Sequence, residues 1–185
     1  MKFPIYELRG DRRTRFPVIG FSDSRFDAHS YFVGRSEARQ WRPRKVILTS
    51  GKSYPLRDQV GGSLGAPFVS ERFRRVMESV CGKHAEFLPV LGPKKKQFFV
   101  FNVITIIDCL DLKRSQLGFL PKFVFDNTKV CPVPVFKVPH DHTVIFVTEP
   151  FIAAAREHHL TGIDFEYPHL MRIVLTETVV PGFPT

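Results

Sequence analysis

The chain has 185 residues and a formal net charge of +9, with 27 lysines and arginines against 18 aspartates and glutamates. Its hydrophobic content of 43%, which includes 19 phenylalanines, can fill a sizeable core and argues against a disordered chain. The length suits one domain, or one domain with an elaborated N-terminal part.

The start of the chain does not resemble a secretory signal, because arginines and an aspartate interrupt MKFPIYELRGDRRTRF before an apolar segment forms. No run approaches the roughly 18 apolar residues of a membrane span. Cys81, Cys109 and Cys131 are odd in number and form no CxxC pair, so neither a disulfide framework nor a zinc site is indicated. We therefore expect a cytoplasmic protein without membrane contact and without a cofactor.

Basic residues are concentrated in the first third of the chain. Residues 1–65 carry 13 lysines and arginines against 6 acidic residues, whereas residues 66–185 carry 14 against 12. A field of that sign attracts an acidic partner, either nucleic acid or an acidic protein surface. The alternative is a solvated face that keeps the protein in solution.

The same third has a weak secondary-structure pattern. Strands are predicted within Met1–Leu8 and at Val46–Thr49, and the glycine-rich stretch Tyr54–Pro67 is predicted to be a loop or hinge. Aromatic residues interleaved with arginines could form a stacking platform for single-stranded nucleic acid. We favour core residues of an irregular region instead, because no nucleic-acid-binding motif accompanies them. They are Phe16, Phe21, Phe26, Tyr31, Phe32 and Trp41.

Two later segments each predict a capped helix that ends at a glycine. In the first, spanning about 70–81, Ser70 is the expected N-cap and Gly82 the expected stop. In the second, spanning about 149–161, Thr148 and Gly162 are expected to do the same. The shared FV[S/T]E-x-F pattern could record a duplication, although capping preferences alone could also produce it.

Further strands are predicted at 85–90, within 97–111, at 133–138 and at 172–179, with an apolar run at 120–126. The irregular alternation of strands and helices predicts an α+β fold with a mixed sheet of about seven strands and two main helices. We divide it into a basic N-terminal region, residues 1–65, and a core, residues 66–185, which together form one compact unit. The side chains expected to be buried together are Phe73, Met77, Phe99, Val103, Ile106, Phe146 and Phe151.

Five segments within residues 66–167 follow one another in a characteristic order: FVSERFRRVMESV, AEFLPV, FFVFNVITIIDCLDLKRS, FVFDNTKVCPVPVFKVP and IFVTEPFIAAAREHHLTGIDFE. In these segments the chain resembles a bacterial immunity-protein family, numbered eleven among such families. The most specific of their motifs is LTGIDF, Leu160–Phe165. No motif of the family is recognisable in residues 1–65.

The resemblance implies a protein that is encoded near polymorphic toxins or secretion-system effectors and that binds one of them to neutralise or handle it. It carries no catalytic residues over to this chain. The excess of basic residues suggests that the partner, a cognate toxin or effector, is acidic. Two alternatives are a type VI secretion accessory or adaptor protein and a nucleic-acid-binding module that uses the basic N-terminal region.

A metal-dependent enzyme is a third hypothesis, and its weak candidate ligands are His140, His142 and His158, in a cluster that also contains Asp141, Glu157 and His159. We do not expect a metal site, because the first two flank an ordinary Pro-bounded turn and no HExxH motif is present. Nucleophilic catalysis is not indicated either: Cys109 lies in an apolar run, where a thiol is inert. Asp108 and Asp111 fit the end of a strand better than an acid–base pair.

The predicted partner-binding residues lie in one short segment: Arg35, Arg39, Trp41, Arg42 and Arg44. Arginine and tryptophan are the residue types that most often anchor protein interfaces. The alternative, left open by the sequence, is that Trp41 belongs to the core and that the arginines are only solvated.

Overall fold

A computed structural model of the chain describes residues 4–11, 17–63, 65–93, 96–118, 121–126, 128–130 and 133–166. The described residues form two sheets with ten strands and three helices, which confirms the predicted α+β class. The strands are divided between two sheets, whereas one sheet of about seven strands was expected. The predicted strand at 172–179 lies outside the described residues.

The strands and helices are numbered in chain order. The strands are β1 (Tyr6–Gly10), β2 (Val18–Phe21), β3 (Val46–Ser50), β4 (Gln59–Ser63), β5 (Ala66–Ser70), β6 (Ala85–Val90), β7 (Phe98–Val103), β8 (Val135–Val138), β9 (Asp141–Val147) and β10 (Ile163–Glu166). The helices are α1 (Ala28–Tyr31), α2 (Glu71–Cys81) and α3 (Glu149–Glu157), and a single 3-10 turn, Gly82–His84, follows α2.

The smaller sheet has the strand order β10-β1-β9-β8, and all its pairs are antiparallel. Its second strand comes from the N-terminal region: Leu8 pairs with Phe165 of β10, and Tyr6 pairs with Val147 of β9. The start of the chain is therefore built into the sheet that holds the LTGIDF motif.

The larger sheet has the strand order β3-β2-β4-β5-β7-β6, and its two outer strands meet. Lys45, directly before β3, and Leu91, directly after β6, form an isolated parallel bridge. The Val46 N–H donates to the Leu91 carbonyl at 3.0 Å, and the Leu91 N–H donates to the Arg44 carbonyl at 2.9 Å. Two backbone hydrogen bonds thus close this sheet on itself. The expected loop at 54–67 instead contains β4 and the start of β5.

The largest core cluster lies between the two main helices and residues of both sheets. Phe73 of α2 and Phe151 of α3 are fully buried, with ring centroids 6.2 Å apart. Of the expected core, Phe99 is half-buried against this cluster. The burial prediction is confirmed for Phe73, Met77, Val103, Phe146 and Phe151.

Two of those expectations need correction. Ile106 is 36% exposed, because β7 ends at Val103 and the residue lies beyond the strand. Phe146 is buried in a separate cluster, with Phe123 and Phe136. Successive side chains of a strand point to opposite faces, so Phe146 lies on the face of β9 away from the helices.

Helix α2 begins as predicted, with the Ser70 hydroxyl accepting a hydrogen bond from the Phe73 N–H at 3.1 Å. It ends at Gly82, whose φ is 50°. In α3 the residue at the N-cap position, Thr148, does not cap: its hydroxyl donates to the Val133 carbonyl at 2.7 Å. The two helices therefore differ at the position where a duplication would have matched them.

The predicted end of α3 is wrong by four residues. The helix stops at Glu157, because His159 takes a positive φ of 47°. The Leu160 N–H donates to the Ala155 carbonyl at 2.9 Å and the His159 N–H to the Arg156 carbonyl at 3.0 Å. These two bonds form a Schellman motif with His159 in the place that glycine usually takes.

Candidate partner-binding surface

Five aromatic residues between positions 21 and 41 pack in or against the core cluster of the larger sheet. Trp41 is 7% exposed and its indole N–H donates to the Pro89 carbonyl at 2.8 Å. Its ring lies 5.9 Å from that of the buried Phe32, and Phe26 packs on both. The core interpretation is therefore correct for Phe32 and Trp41, whereas Phe21, Phe26 and Tyr31 are half-buried and pack against the same cluster. Phe16 lies outside the described residues.

The segment that carries the predicted arginines is held by one carboxylate of the sheet. Glu86 on β6 accepts hydrogen bonds from the Glu37 N–H at 2.6 Å and from the Ser36 hydroxyl at 2.9 Å. Asn102 on β7 donates to Glu86 at 2.7 Å and to the Arg35 carbonyl at 3.0 Å. These contacts fix a segment that has no regular secondary structure, and sequence patterns did not reveal them.

Glu37 anchors the same segment from inside. Its side chain is fully buried and accepts hydrogen bonds from Arg35 at 2.9 Å and from Gln40. Burial raises the pKa of Glu37, but hydrogen bonds from Tyr31, Gln40 and Arg35 outweigh it and hold the pKa below its usual value. A buried carboxylate thus stays ionised because three donors surround it.

The four predicted arginines have different surroundings. Arg35 is bound to Glu37, although its side chain is 64% exposed, and the Arg44 guanidinium stacks 3.9 Å from the ring centroid of Phe26. Arg39 is exposed, with no ion pair or hydrogen bond inside the described part of the chain. Arg42 is exposed, and its one hydrogen bond within the described residues goes to the Trp41 carbonyl, at 3.3 Å. The guanidinium groups of Arg39 and Arg42 are therefore free to form ion pairs with a partner.

The LTGIDF motif has a structural role here. Thr161 contacts Asp58, a buried residue at the start of β4, and the Gln59 N–H donates to the Thr161 carbonyl at 3.0 Å. A Cβ on Gly162 would lie 2.2 Å from the Gln59 carbonyl oxygen. The motif thus joins the loop after α3 to the N-terminal third of the chain, and Asp58 is a residue that sequence reasoning missed.

The three histidines named as weak metal candidates lie at exposed or half-buried positions, with His158 at the C-cap of α3. Across the residues that the structure describes, no group of three or more His, Cys, Asp or Glu side chains could hold a metal ion. Asp111 accepts hydrogen bonds from the Lys113 N–H at 3.1 Å and the Arg114 N–H at 3.3 Å, as a turn residue does.

The two described cysteines are buried, and burial raises the pKa of Cys81 to about 12 and that of Cys109 to about 11. Their thiols therefore stay protonated at neutral pH, and a protonated, buried thiol is a poor nucleophile. In the part of the chain that is described, no helix is both long and apolar enough to cross a membrane.

Comparison with known proteins identifies a family. The model of an immunity protein family, Imm11, matches residues 15–167. The match begins well before residue 66, where the resemblance in sequence starts, and so takes in β2, β3 and the arginine-bearing segment between them. No curated protein matches the chain.

Proposed function

The chain belongs to the immunity protein family Imm11, and from this premise we propose that it binds and neutralises a cognate toxin or secretion-system effector without catalysing a reaction. The family match carries the proposal, because it covers residues of both sheets and both main helices. In this proposal residues 1–65 and 66–185 act as one compact unit, since β1 and β4 pair directly with β10 and β5.

The charge of the chain supports an acidic partner. The net charge is +9, and Arg39 and Arg42 are exposed and make no ion pair inside the described part of the chain. Complementary charge raises the rate of encounter, and a protein that must intercept a toxin before it acts gains from fast association. Because Glu86 and Glu37 fix the segment around them, little order has to be gained on binding.

The proposed surface therefore consists of Arg35, Arg39, Arg42 and Arg44, with the first and last also serving the fold. Trp41 supports it from the core, because its indole is buried beneath the segment. A partner made in the same cell would be met in the cytoplasm, and a type VI secretion effector is one class of partner that fits.

The decisive experiment uses the product of a toxin or effector gene that lies beside the gene for this chain. Cells that express that product should grow only when this chain is co-expressed, and the two purified proteins should form a complex of fixed stoichiometry. Inhibition that needs one equivalent of this chain supports a binder, whereas inhibition by a small fraction of an equivalent would point to an enzyme. If no neighbouring product binds the wild-type chain, the proposed function is wrong.

A further inference from the structure

A groove with apolar walls lies where the larger sheet closes. Leu91 is 59% exposed and Ile47 is 42% exposed, and both line a groove of ≈ 540 Å³ together with Pro93. Exposed aliphatic side chains that line one concave surface mark binding sites more often than isolated ones do.

The exposure of Ile47 follows from the sheet itself. On β3 the side chain of Val46 points inward and is 2% exposed, so its neighbour Ile47 points outward. The residue paired with Ile47 on β2 is Gly20, which has no side chain to cover it. On the other side, the bridge between Lys45 and Leu91 fixes the backbone of both walls.

The charge at the groove has one sign. Lys45 and Lys52 line it, and no acidic residue does among those that the structure describes. Neither lysine has an ion pair inside the described part of the chain, and Arg42 and Arg44 lie directly before Lys45 in the sequence. An apolar groove between uncompensated ammonium groups is complementary to an apolar side chain that is flanked by carboxylates.

We propose that this groove is the docking site for a segment of the toxin or effector that presents an apolar side chain between acidic residues. This inference rests on the proposed function and names the surface and the chemistry of the partner. A second copy of this chain fits the groove poorly, because it would bring another +9 charge to a rim of lysines. Nucleic acid would use the lysines but not the aliphatic walls.

The test compares binding of the neighbouring toxin, in a catalytically inactive form, to the wild-type chain and to matched variants. Ile47→Ser with Leu91→Ser removes the apolar walls, and Lys45→Glu with Lys52→Glu reverses the rim. Leu112→Ser with Leu117→Ser is the apolar control, because these side chains are 52% and 43% exposed elsewhere on the chain. Lys83→Glu with Lys113→Glu is the control with the same change in net charge.

Each groove variant should weaken the affinity at least about tenfold, which corresponds to about 1.4 kcal/mol, while each control stays within about threefold. Unchanged melting temperatures show that the variants fold. As a second measurement, hydrogen exchange should be slower in the wild-type complex than in the free chain at the amides of residues 45–48, Leu91 and Gly92. This measurement decides the matter if the groove variants do not fold.

The experiment distinguishes a wrong docking site from a wrong proposed function. If the wild-type chain does not bind the neighbouring toxin, the proposed function falls and the docking site with it. If the wild-type chain binds but the groove variants bind equally well, or the groove amides gain no protection on binding, only the docking site is wrong. If the groove substitutions merely dissociate a dimer and leave toxin affinity unchanged, the groove is a self-association site and this inference is overturned.

Discussion

Thr161 donates both its backbone N–H and its side-chain hydroxyl to one carboxylate oxygen of Asp58, each at 2.9 Å. The same carboxylate accepts hydrogen bonds from the Ser70 hydroxyl and from Arg72, both at 2.8 Å. Ser70 caps α2, Asp58 leads into β4, and Thr161 belongs to the loop after α3. One buried carboxylate therefore joins the β4–β5 hairpin and the start of α2 to a loop that lies 103 residues further along the chain.

Removing this carboxylate should destabilise the whole fold. Asp58→Ala leaves four donors without their acceptor, and we expect it to lower the free energy of unfolding by about 3 kcal/mol or more. Thr161→Val removes only the hydroxyl and should cost about 1–2 kcal/mol, whereas Thr161→Ser keeps the hydroxyl and should cost less. Urea unfolding of the three variants measures this order. Equal stability of Thr161→Val and Thr161→Ser would show that the hydroxyl bond is not important.

The two predicted helix stops should respond differently to an added methyl group. Gly82 has a φ of 50° and a ψ of −126°, a conformation that glycine adopts far more readily than other residues, and open space around it, so Gly82→Ala should cost only the backbone strain, about 1–3 kcal/mol. Gly162 has a φ of 81°, and a Cβ there would also lie 2.2 Å from the Gln59 carbonyl oxygen. We expect Gly162→Ala to cost a further 1–3 kcal/mol or so. Thermal melting of both variants tests the ranking, and equal shifts would contradict it.

Local signals in the sequence predicted the start of α2 and the strand at β3, because capping and alternation act between residues close in the chain. They failed at the end of α3: the helix was expected to stop at Gly162, but His159 takes the positive φ that ends it. They also failed at residues 59–67, where the glycines predicted a loop and the structure has β4 and the start of β5. In these strands the partner across the sheet, not intrinsic propensity, decides the structure.

Long-range pairing was beyond the reach of sequence patterns. The bridge between Lys45 and Leu91 closes a sheet, yet no sequence pattern indicates that these two residues pair. The same holds for Asp58 and Thr161, which lie 103 residues apart. At the candidate site, the sequence left Trp41 open between the core and the partner-binding surface, and the structure places it in the core, where its indole N–H donates to the Pro89 carbonyl.

Lys137 on β8 should give the protein a distinctive dependence on pH. Its side chain is fully buried and donates to the Phe32 carbonyl at 2.8 Å, and burial lowers its pKa from 10.5 to about 8, with Asp141 opposing the shift. Between these pH values the unfolded chain binds a proton at this lysine that the folded chain does not. The lysine's contribution to stability therefore rises with pH from about 8 to 10.5, by up to about 3 kcal/mol.

Comparison with Lys137→Met isolates this contribution. Cys81 and Cys109 act in the opposite direction, because their raised pKa values make the folded state hold protons that the unfolded state loses above pH 9. The variant should be at least as stable as the wild type at pH 7, and its advantage should shrink as the pH rises to 10.5. Lys113→Met is the exposed control. A difference in unfolding free energy that stays constant with pH would refute the assignment.

The arginine surface gives the final prediction, and the structure decides which residues can test it. Reversal of all four arginines would disturb the fold, because Arg35 pairs with the buried Glu37 and Arg44 stacks on Phe26. Replacing Arg44 with alanine should by itself lower stability by about 1 kcal/mol. Arg39→Glu with Arg42→Glu changes only exposed charges and should leave the melting temperature unchanged.

This double variant should associate with the neighbouring toxin or effector more slowly than the wild type, by about tenfold at low salt, and with a weaker dependence on salt. Lys83→Glu with Lys113→Glu changes the net charge equally at other exposed positions, so it measures the effect of total charge alone. Stopped-flow association rates at several salt concentrations separate the two effects. If both double variants slow association equally, the attraction comes from the whole chain; if the arginine variant matches the wild type, the partner approaches another face.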